Sequence, residues 1–296
     1  MSIFIFKIIF RFLVLMEKFN VVIPTIEVND LLYNCVKHLS KQSYKEFVLT
    51  IVLEDDEGLI DFKNFLKKIK IKYNIVFSSN KNISAKRNIG VRSVSSEYLA
   101  FIDSDAYPST KWLEVGLKYL LDQNLLIVGG PSGIPFENES PSYLISNYAK
   151  RSFFCTANLS KRKYSKKNIY FEWLESCNLM TRRETFFSVG GMNENQYIGE
   201  DLEFCRKVNL KYGKNRIFYV GDLIVYHKDR SIKNFLKQRF VYGLYISESI
   251  KNTSFSGKLI SLTPLIFFSI VVILFFMIYQ NIFFYLFLFI CFLLSF

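Results

Sequence analysis

The chain predicts an α/β fold with a mostly parallel sheet and helices on both faces, followed by a membrane-spanning segment. Three observations carry that expectation. Short apolar runs of strand character alternate with stripes of helical period along the first half of the chain. Several of those runs stop abruptly at carboxylates, as strands do where an open sheet offers its carboxyl edge to a ligand. Residues 259–279 are uncharged and mostly Leu, Ile, Phe and Val, and about 20 such residues cross a bilayer core.

The elements follow in order. Residues 19–23 make the first strand, ended by Pro24 and Thr25. Leu31, Leu32, Cys35, Val36 and Leu39 then recur at helical spacing behind Asn29 and Asp30, both suited to N-caps. Residues 47–53 form a buried second strand that ends in Glu54-Asp55-Asp56-Glu57. Leu59, Phe62, Phe65, Leu66 and Ile69 make the next helical stripe, residues 74–77 the third strand and residues 84–94 a helix. Residues 98–102 are the fourth strand. Trp112, Val115, Leu117 and Leu120 mark another helix, and residues 125–128 a fifth strand. This alternation implies parallel pairing through right-handed crossovers. No internal repeat is visible.

The fourth strand ends in Asp103-Ser104-Asp105. Alternate residues of a strand share a face, so the two carboxylates can point the same way. Held close, they repel unless a cation sits beside them, and hard divalent ions such as Mg²⁺ or Mn²⁺ take oxygen ligands and bridge to phosphate. A turn capped by its own Asp side chains has the same local pattern. The acidic cluster after the second strand adds a neighbour suited to a base or ribose. Arg87, at a helix start, can lie near a diphosphate. Lys81 and Lys86 read as a solvated basic face. No glycine fingerprint of a dinucleotide site follows the first strand, which argues against NAD or FAD. Gly129-Gly130 can admit a sugar to the backbone or simply turn the chain. Trp173 suits either a sugar face or the core. His38 receives no role.

The net charge is +12, which implies an anionic partner. No nucleic-acid recognition motif is present, and the basic residues adjoin apolar segments, so lipid head groups and diphosphate are favoured over nucleic acid. Cys35, Cys155, Cys177, Cys205 and Cys291 are scattered without a Cys-x-x-Cys. That pattern argues against a zinc site and a disulfide framework, and fits a reducing compartment.

Four regions result. Residues 1–16 are an apolar extension: an interfacial or signal-like segment, or an over-called start before Met16. Residues 17–230 are the globular domain. Residues 231–258 are a basic, aromatic helix suited to a membrane surface, with Lys233, Lys237, Arg239, Lys251 and Lys258. Residues 259–296 are transmembrane. Gln280-Asn281 interrupts the apolar run, so the segment is either a hairpin or one span of a truncated series. The basic flank assigns the globular part to the cytoplasmic side.

The chain resembles glycosyltransferase family 2, the inverting nucleotide-sugar transferases of the Rossmann-like GT-A fold. The matching residues are Val21 to Thr25, the acidic cluster after strand two, Ala85 to Gly90, and Phe101 to Asp105. They continue through Asn178-Leu179-Met180 with Arg183, Val189 to Glu194, and Gly199 to Glu203. The resemblance implies a nucleotide pocket lined by Pro24, Thr25 and Glu27. It implies an acidic base-reader after strand two, Asp55 first and Glu54 second, since Glu54-Asp55-Asp56-Glu57 departs from the family's Asp-Asp-Gly-Ser. Arg87, Asp103 and Ser104 join the nucleotide-sugar site, with Asp105, Asp103 and His227 as cation ligands; local hydrogen bonding is the alternative for His227. Asp201, with Glu200 beside it, is the expected catalytic base; a plain N-cap is the alternative.

An inverting transfer needs such a base for the acceptor hydroxyl, and a cation for the leaving diphosphate. The resemblance further implies a nucleotide-sugar donor, a UDP-sugar first, and a lipid-linked or cell-surface glycan acceptor. Transfer to polyprenyl phosphate is a second expectation. A non-catalytic scaffold that binds nucleotide or glycan is a third, which the intact carboxylates disfavour. Gln238-Arg239-Phe240 does not match the Gln-x-x-Arg-Trp of processive synthases, which implies transfer of single sugars.

Overall fold

The computed structural model describes residues 17–133, 135, 140–151, 165–196, 198–244 and 263–294. The extension 1–16, Cys155, Lys251 and Lys258 lie outside the described residues. The chain divides into two compact units, Met1–Glu248 and Ser249–Phe296.

In the first unit the expected alternation is present. It runs β1 (Glu17–Pro24), α1 (Asp30–Leu39), β2 (Phe47–Leu53), α2 (Leu59–Lys68), β3 (Tyr73–Phe77), α3 (Ile83–Ser93) and β4 (Ser96–Ile102). Then come β5 (Ala106–Pro108), α4 (Trp112–Leu120), β6 (Ile127–Gly129), α5 (Pro141–Arg151), β7 (Ile169–Tyr170), β8 (Asn178–Arg182) and α6 (Arg183–Ser188). The unit ends with α7 (Glu200–Tyr212), β9 (Ile217–Tyr219), β10 (Val225–His227) and α8 (Ile232–Leu244). The main sheet has the order β3-β2-β1-β4-β8-β6-β9-β7. β1 pairs parallel with β2 and β4, and β2 with β3. β8 enters antiparallel between β4 and β6, so β6 stays parallel to β4 without touching it. A small antiparallel pair, β5 with β10, stands apart.

The pleat divides the core into two. Val21, Ile23, Ala100 and Ile102 face the cluster formed with α1, α2 and α4. Val22, Leu99 and Phe101 face the opposite cluster, with Val91 of α3, Phe186 of α6, and Phe204, Cys205 and Val208 of α7. Each fully buried side chain of this kind contributes roughly 1.5–3 kcal/mol. The same period carries Asp103 onto the α3 and α7 side, because it continues the series 99, 101, 103.

α3 lies unusually close to the sheet. A Cβ on Gly90 would stand 2.7 Å from Val22 Cγ1 and 3.0 Å from Val52 Cγ2. Arg87, Gly90 and Val91 share one helical face, so the close approach presses Arg87 onto the sheet's carboxyl edge. Asn20 Nδ2 donates to the Gly90 carbonyl at 3.0 Å, and Thr50 Oγ1 donates to Asn20 Oδ1 at 2.7 Å, satisfying the polar groups beneath the helix.

Gly129 and Gly130 are required by packing. A Cβ on Gly130 would overlap the Leu223 carbonyl and stand 2.6 Å from that of Val220. Nearby, Asn178 accepts from Trp112 Nε1 at 2.8 Å and donates to the Pro131 and Leu223 carbonyls at 2.9 and 2.7 Å.

Among the described residues the second unit contributes one helix, α9 (Thr263–Leu294), of 32 residues. Residues 266–291 form a stretch long and apolar enough to cross a membrane. Gln280 and Asn281 do not break it, so the two apolar runs are not the legs of a hairpin. Neither residue removes a backbone donor, and Gln is a good helix former. At about 1.5 Å per residue the 26-residue stretch is about 39 Å long, more than the roughly 30 Å of a hydrocarbon core.

Gly130→Ala should destabilise the first unit by about 2–3 kcal/mol, because backbone carbonyls cannot step aside. A thermal unfolding midpoint equal to that of the wild-type chain would contradict this packing.

Candidate active site

Three groups of expected site residues meet the carboxyl edge of β1, β2 and β4. At the first, Pro24 is buried at the end of β1 and pairs with Val52. Thr25 donates its amide to the Val52 carbonyl at 3.0 Å and its hydroxyl to the Glu27 carbonyl at 3.0 Å. Glu27 is exposed. Glu54 does not stand free: Lys86 Nζ lies 2.6 Å from Glu54 Oε1 and 2.7 Å from the Thr25 carbonyl. Lys86 is therefore not part of a solvated basic face. It is 3% exposed, drawn in because a carboxylate and a carbonyl compensate its burial. Asp55 is exposed and accepts the Glu57 amide at 3.1 Å.

At the second, Ala106 donates its amide to the Asp103 carbonyl at 3.2 Å and closes the Asp103–Ser104–Asp105 turn. β10 then brings His227 opposite Ala106. His227 Nε2 lies 3.4 Å from Asp105 Oδ1 and 3.8 Å from Asp103 Oδ2. Its Nδ1 is 2.8 Å from the Lys228 carbonyl oxygen. A carbonyl only accepts, so Nδ1 carries hydrogen there and Nε2 is the nitrogen turned to the carboxylates. Two carboxylates with an imidazole so oriented fit the donor set of a divalent cation. Burial alone would raise the Asp103 carboxyl, but His227 and Arg87 overcome it and hold its pKa down to about 2. Ser104 is half-buried between the two carboxylates.

At the third, Gly199 enters α7 in the left-handed region (φ 79°) with no side-chain cap. Glu200 and Asp201 occupy the first turn, where the helix dipole favours carboxylates. Asp201 is therefore not the N-cap. Its Oδ1 accepts the Leu202 amide at 2.8 Å and its Oδ2 the Ser176 amide at 3.3 Å. Burial, then the charges of Glu200 and Glu175, push its pKa up to about 7, against the Leu202 amide and Arg87.

Arg87 joins the second and third groups. It is 1% exposed, with Nη2 2.8 Å from Asp103 Oδ1 and Nη1 3.0 Å from Glu200 Oε1. Burial disfavours its charge, yet Asp103, Glu200 and Asp201 more than offset that and raise its pKa. The helix that carries it is fixed from both ends. Asn82 Oδ1 caps α3 by accepting the Ser84 and Ala85 amides at 2.8 and 3.2 Å. Asn82 Nδ2 and Asn88 Nδ2 hold the loop before α7 through the carbonyls of Glu194, Gln196 and Met192 at 2.9, 3.1 and 2.8 Å. Arg183 Nη1 binds the Val91 and Val94 carbonyls at 2.8 and 2.6 Å. Trp173 packs at the margin of the second core cluster. His38 stacks on Tyr107, ring centroids 4.1 Å apart.

Two residues of the site escape the sequence pattern. Glu175, bonded by the Ser132 hydroxyl, adds negative charge near Asp201. Cys177 lies beside Asp103 and His227. Only the β4–β8 register brings that segment here, and no spacing in the sequence signals it.

The sequence profile of glycosyl transferase family 2 matches residues 20–186. The chain is similar to the glycosyltransferase AglE of Haloferax volcanii, 22% identical over 229 residues, 76% of this chain and 71% of that one. It is also similar to WfaP of Escherichia coli, a UDP-Glc:alpha-D-GlcNAc-diphosphoundecaprenol beta-1,3-glucosyltransferase. That match is 30% identical over 94 residues, 31% of this chain and 37% of WfaP. Among solved structures, the mannosyltransferase PcManGT of Pyrobaculum calidifontis, in complex with GDP-Man and Mn²⁺, superposes with a TM-score of 0.59 at 14% identity, over 81% of this chain and 66% of that one. At that identity the likeness is one of fold, and the fold is GT-A. The chain thus spans only part of these relatives, little more than a third in the case of WfaP.

Arg87→Met should cost about 3 kcal/mol, since it leaves Asp103 and Glu200 without their shared cation. Arg87→Lys should recover only part of the loss, because an ammonium does not fork between two carboxylates. Urea unfolding measures both; a neutral Arg87→Met would contradict the bridge.

Proposed function

Because the chain belongs to glycosyl transferase family 2, we propose that it transfers a single sugar, with inversion, from a UDP-sugar to a lipid-linked or surface-glycan acceptor at the cytoplasmic face of a membrane. The observation that carries this reading is the unequal state of two adjacent carboxylates. Glu200 is bound to Arg87, whereas Asp201 is half-buried near the like charges of Glu200 and Glu175, with its pKa pushed up to about 7. A base poised near neutrality suits removal of a hydroxyl proton.

Asp201 accepts the acceptor's proton as that oxygen attacks the anomeric carbon from the side opposite the diphosphate. Glu200 positions Arg87 and so fixes the start of α7. Asp103 gives one oxygen to Arg87 and turns the other toward His227. Asp105, Asp103 and His227 are the residues that would hold Mg²⁺ or Mn²⁺, which when bound neutralises charge on the leaving diphosphate. Pro24, Thr25, Glu27 and Ser104 line the donor side. Asp55 is the better base-reader, since Lys86 already occupies Glu54.

The acceptor class rests on the name of WfaP, whose acceptor is a lipid diphosphate. Membrane association is supported by α9. It is also supported by α8, which exposes Ile232, Leu236 and Phe240 at i, i+4, i+8 beside Lys233 and Lys237. The cytoplasmic assignment rests on the Lys and Arg residues that precede the span.

Asp105→Ala and Asp201→Asn should each lower turnover of a UDP-sugar by at least ~10²-fold, and a chelator should do the same to the wild-type chain. Wild-type turnover should rise with pH through a limb near 7, as the Asp201 carboxyl ionises, and Asp201→Asn should lose that limb. Undiminished transfer by either variant contradicts the assignment.

A further inference from the structure

Cys177 stands where two independent strand pairings converge. β8 sets Asn178 opposite Ile102, and one more step of that antiparallel register puts Cys177 across from Asp103. The β5–β10 pair delivers His227 from the other side. The Cys177 sulfur, an Asp103 oxygen and a His227 ring nitrogen all lie within 4.8 Å of one another. Cys177 is reduced and buried. His227 already has its Nδ1 against the Lys228 carbonyl, the outer contact that orients a metal-binding imidazole.

Neighbouring donors on a tetrahedral zinc ion, with bonds of about 2.0–2.3 Å, stand roughly 3.3–3.6 Å apart. These three atoms, all within 4.8 Å of one another, therefore need to close by at most about 1.5 Å to share one ion. The donor set is unlike an all-oxygen site. Carboxylate and water suit Mg²⁺ and Mn²⁺, whereas a thiolate selects zinc and its softer congeners.

We propose that Cys177 is a ligand of the cation centre, which makes it a mixed carboxylate–imidazole–thiolate site that also captures thiophilic ions, Zn²⁺ foremost. The inference rests on reading Asp103 and His227 as that centre. Binding exchanges the thiol S–H for a sulfur–metal bond and releases the proton to solvent, with no change of oxidation state. An ion held in this way competes with Mg²⁺ or Mn²⁺ for Asp103 and His227.

The full chain in detergent, titrated with Cd²⁺ as a spectroscopic probe, tests this. A thiolate-to-cadmium charge-transfer absorption should grow to an equimolar end point and be reversed by Zn²⁺. Cys177→Ser should abolish it. Cys35→Ser should keep it, although Cys35 Sγ lies 3.8 Å from the Asp103 carbonyl. In the unmutated protein Cd²⁺ should protect the Cys177 peptide from alkylation, a measurement that needs no variant to fold. An absorption that survives Cys177→Ser, or Cys177 alkylated equally with and without Cd²⁺, overturns the proposal. Mn²⁺ binding, followed by its paramagnetic resonance, separates the two readings. Mn²⁺ bound without a cadmium–thiolate band removes Cys177 and leaves the cation centre intact, whereas binding of neither ion removes both.

Discussion

One buried guanidinium ties together the three elements that build the candidate active site. Arg87 comes from α3, Asp103 from the end of β4 and Glu200 from the start of α7, and the Arg87 fork is the contact that joins all three. A cation with so little solvent is tolerated only among carboxylates, and only arginine can serve two of them in a fixed plane. The bridge also divides labour. It neutralises Glu200 and one oxygen of Asp103, and leaves Asp201 with two backbone amides and no ion-pair partner of its own among the described residues. Asp103, whose pKa is held down, and Asp201, whose pKa is pushed up, are how a single edge of a sheet can offer both an anion for a metal and a base for a proton.

Much of the recurring sequence pattern around that bridge works at one remove from chemistry. Gly90 lets α3 lie against Val22 and Val52. Asn82 and Asn88 tie the helix to the loop ahead of α7, and Arg183 ties its last turn to the start of α6. These contacts spend polar groups on backbone carbonyls, which directs the geometry of Arg87 and Asp201. The glycines at 129 and 130 belong to the same category, because the Asn178 carbonyl of β8 needs the space at Gly129 and backbone from the segment after β9 the space at Gly130.

What the sequence makes legible follows from distance along the chain. β1 to β4 and their helices declare themselves through period, and the carboxylates through where those periods stop. Asp103, Asp105, Arg87 and Asp201 are within reach of such reading. β8 is not: it is short, it contains a Met and an Asn, and its burial comes from strands on both sides that arrive from distant parts of the chain. With β8 hidden, Glu175 and Cys177 are hidden as well. Lys86 defeats the pattern for another reason. A lysine on a helix start reads as solvated until the carboxylate that pulls it inward, Glu54, is known to be its neighbour. The polar pair Gln280–Asn281 misleads in the opposite direction, since a break in hydropathy is not a break in hydrogen bonding.

The proposed single displacement assisted by Asp201 has a stereochemical signature that no structural role can imitate. The anomeric configuration of the product formed from an α-configured UDP-sugar, read from its proton coupling by NMR, reports it directly. A β-configured product is predicted. An α-configured product would contradict a one-step attack assisted by Asp201, and with it the division of labour that Arg87 imposes.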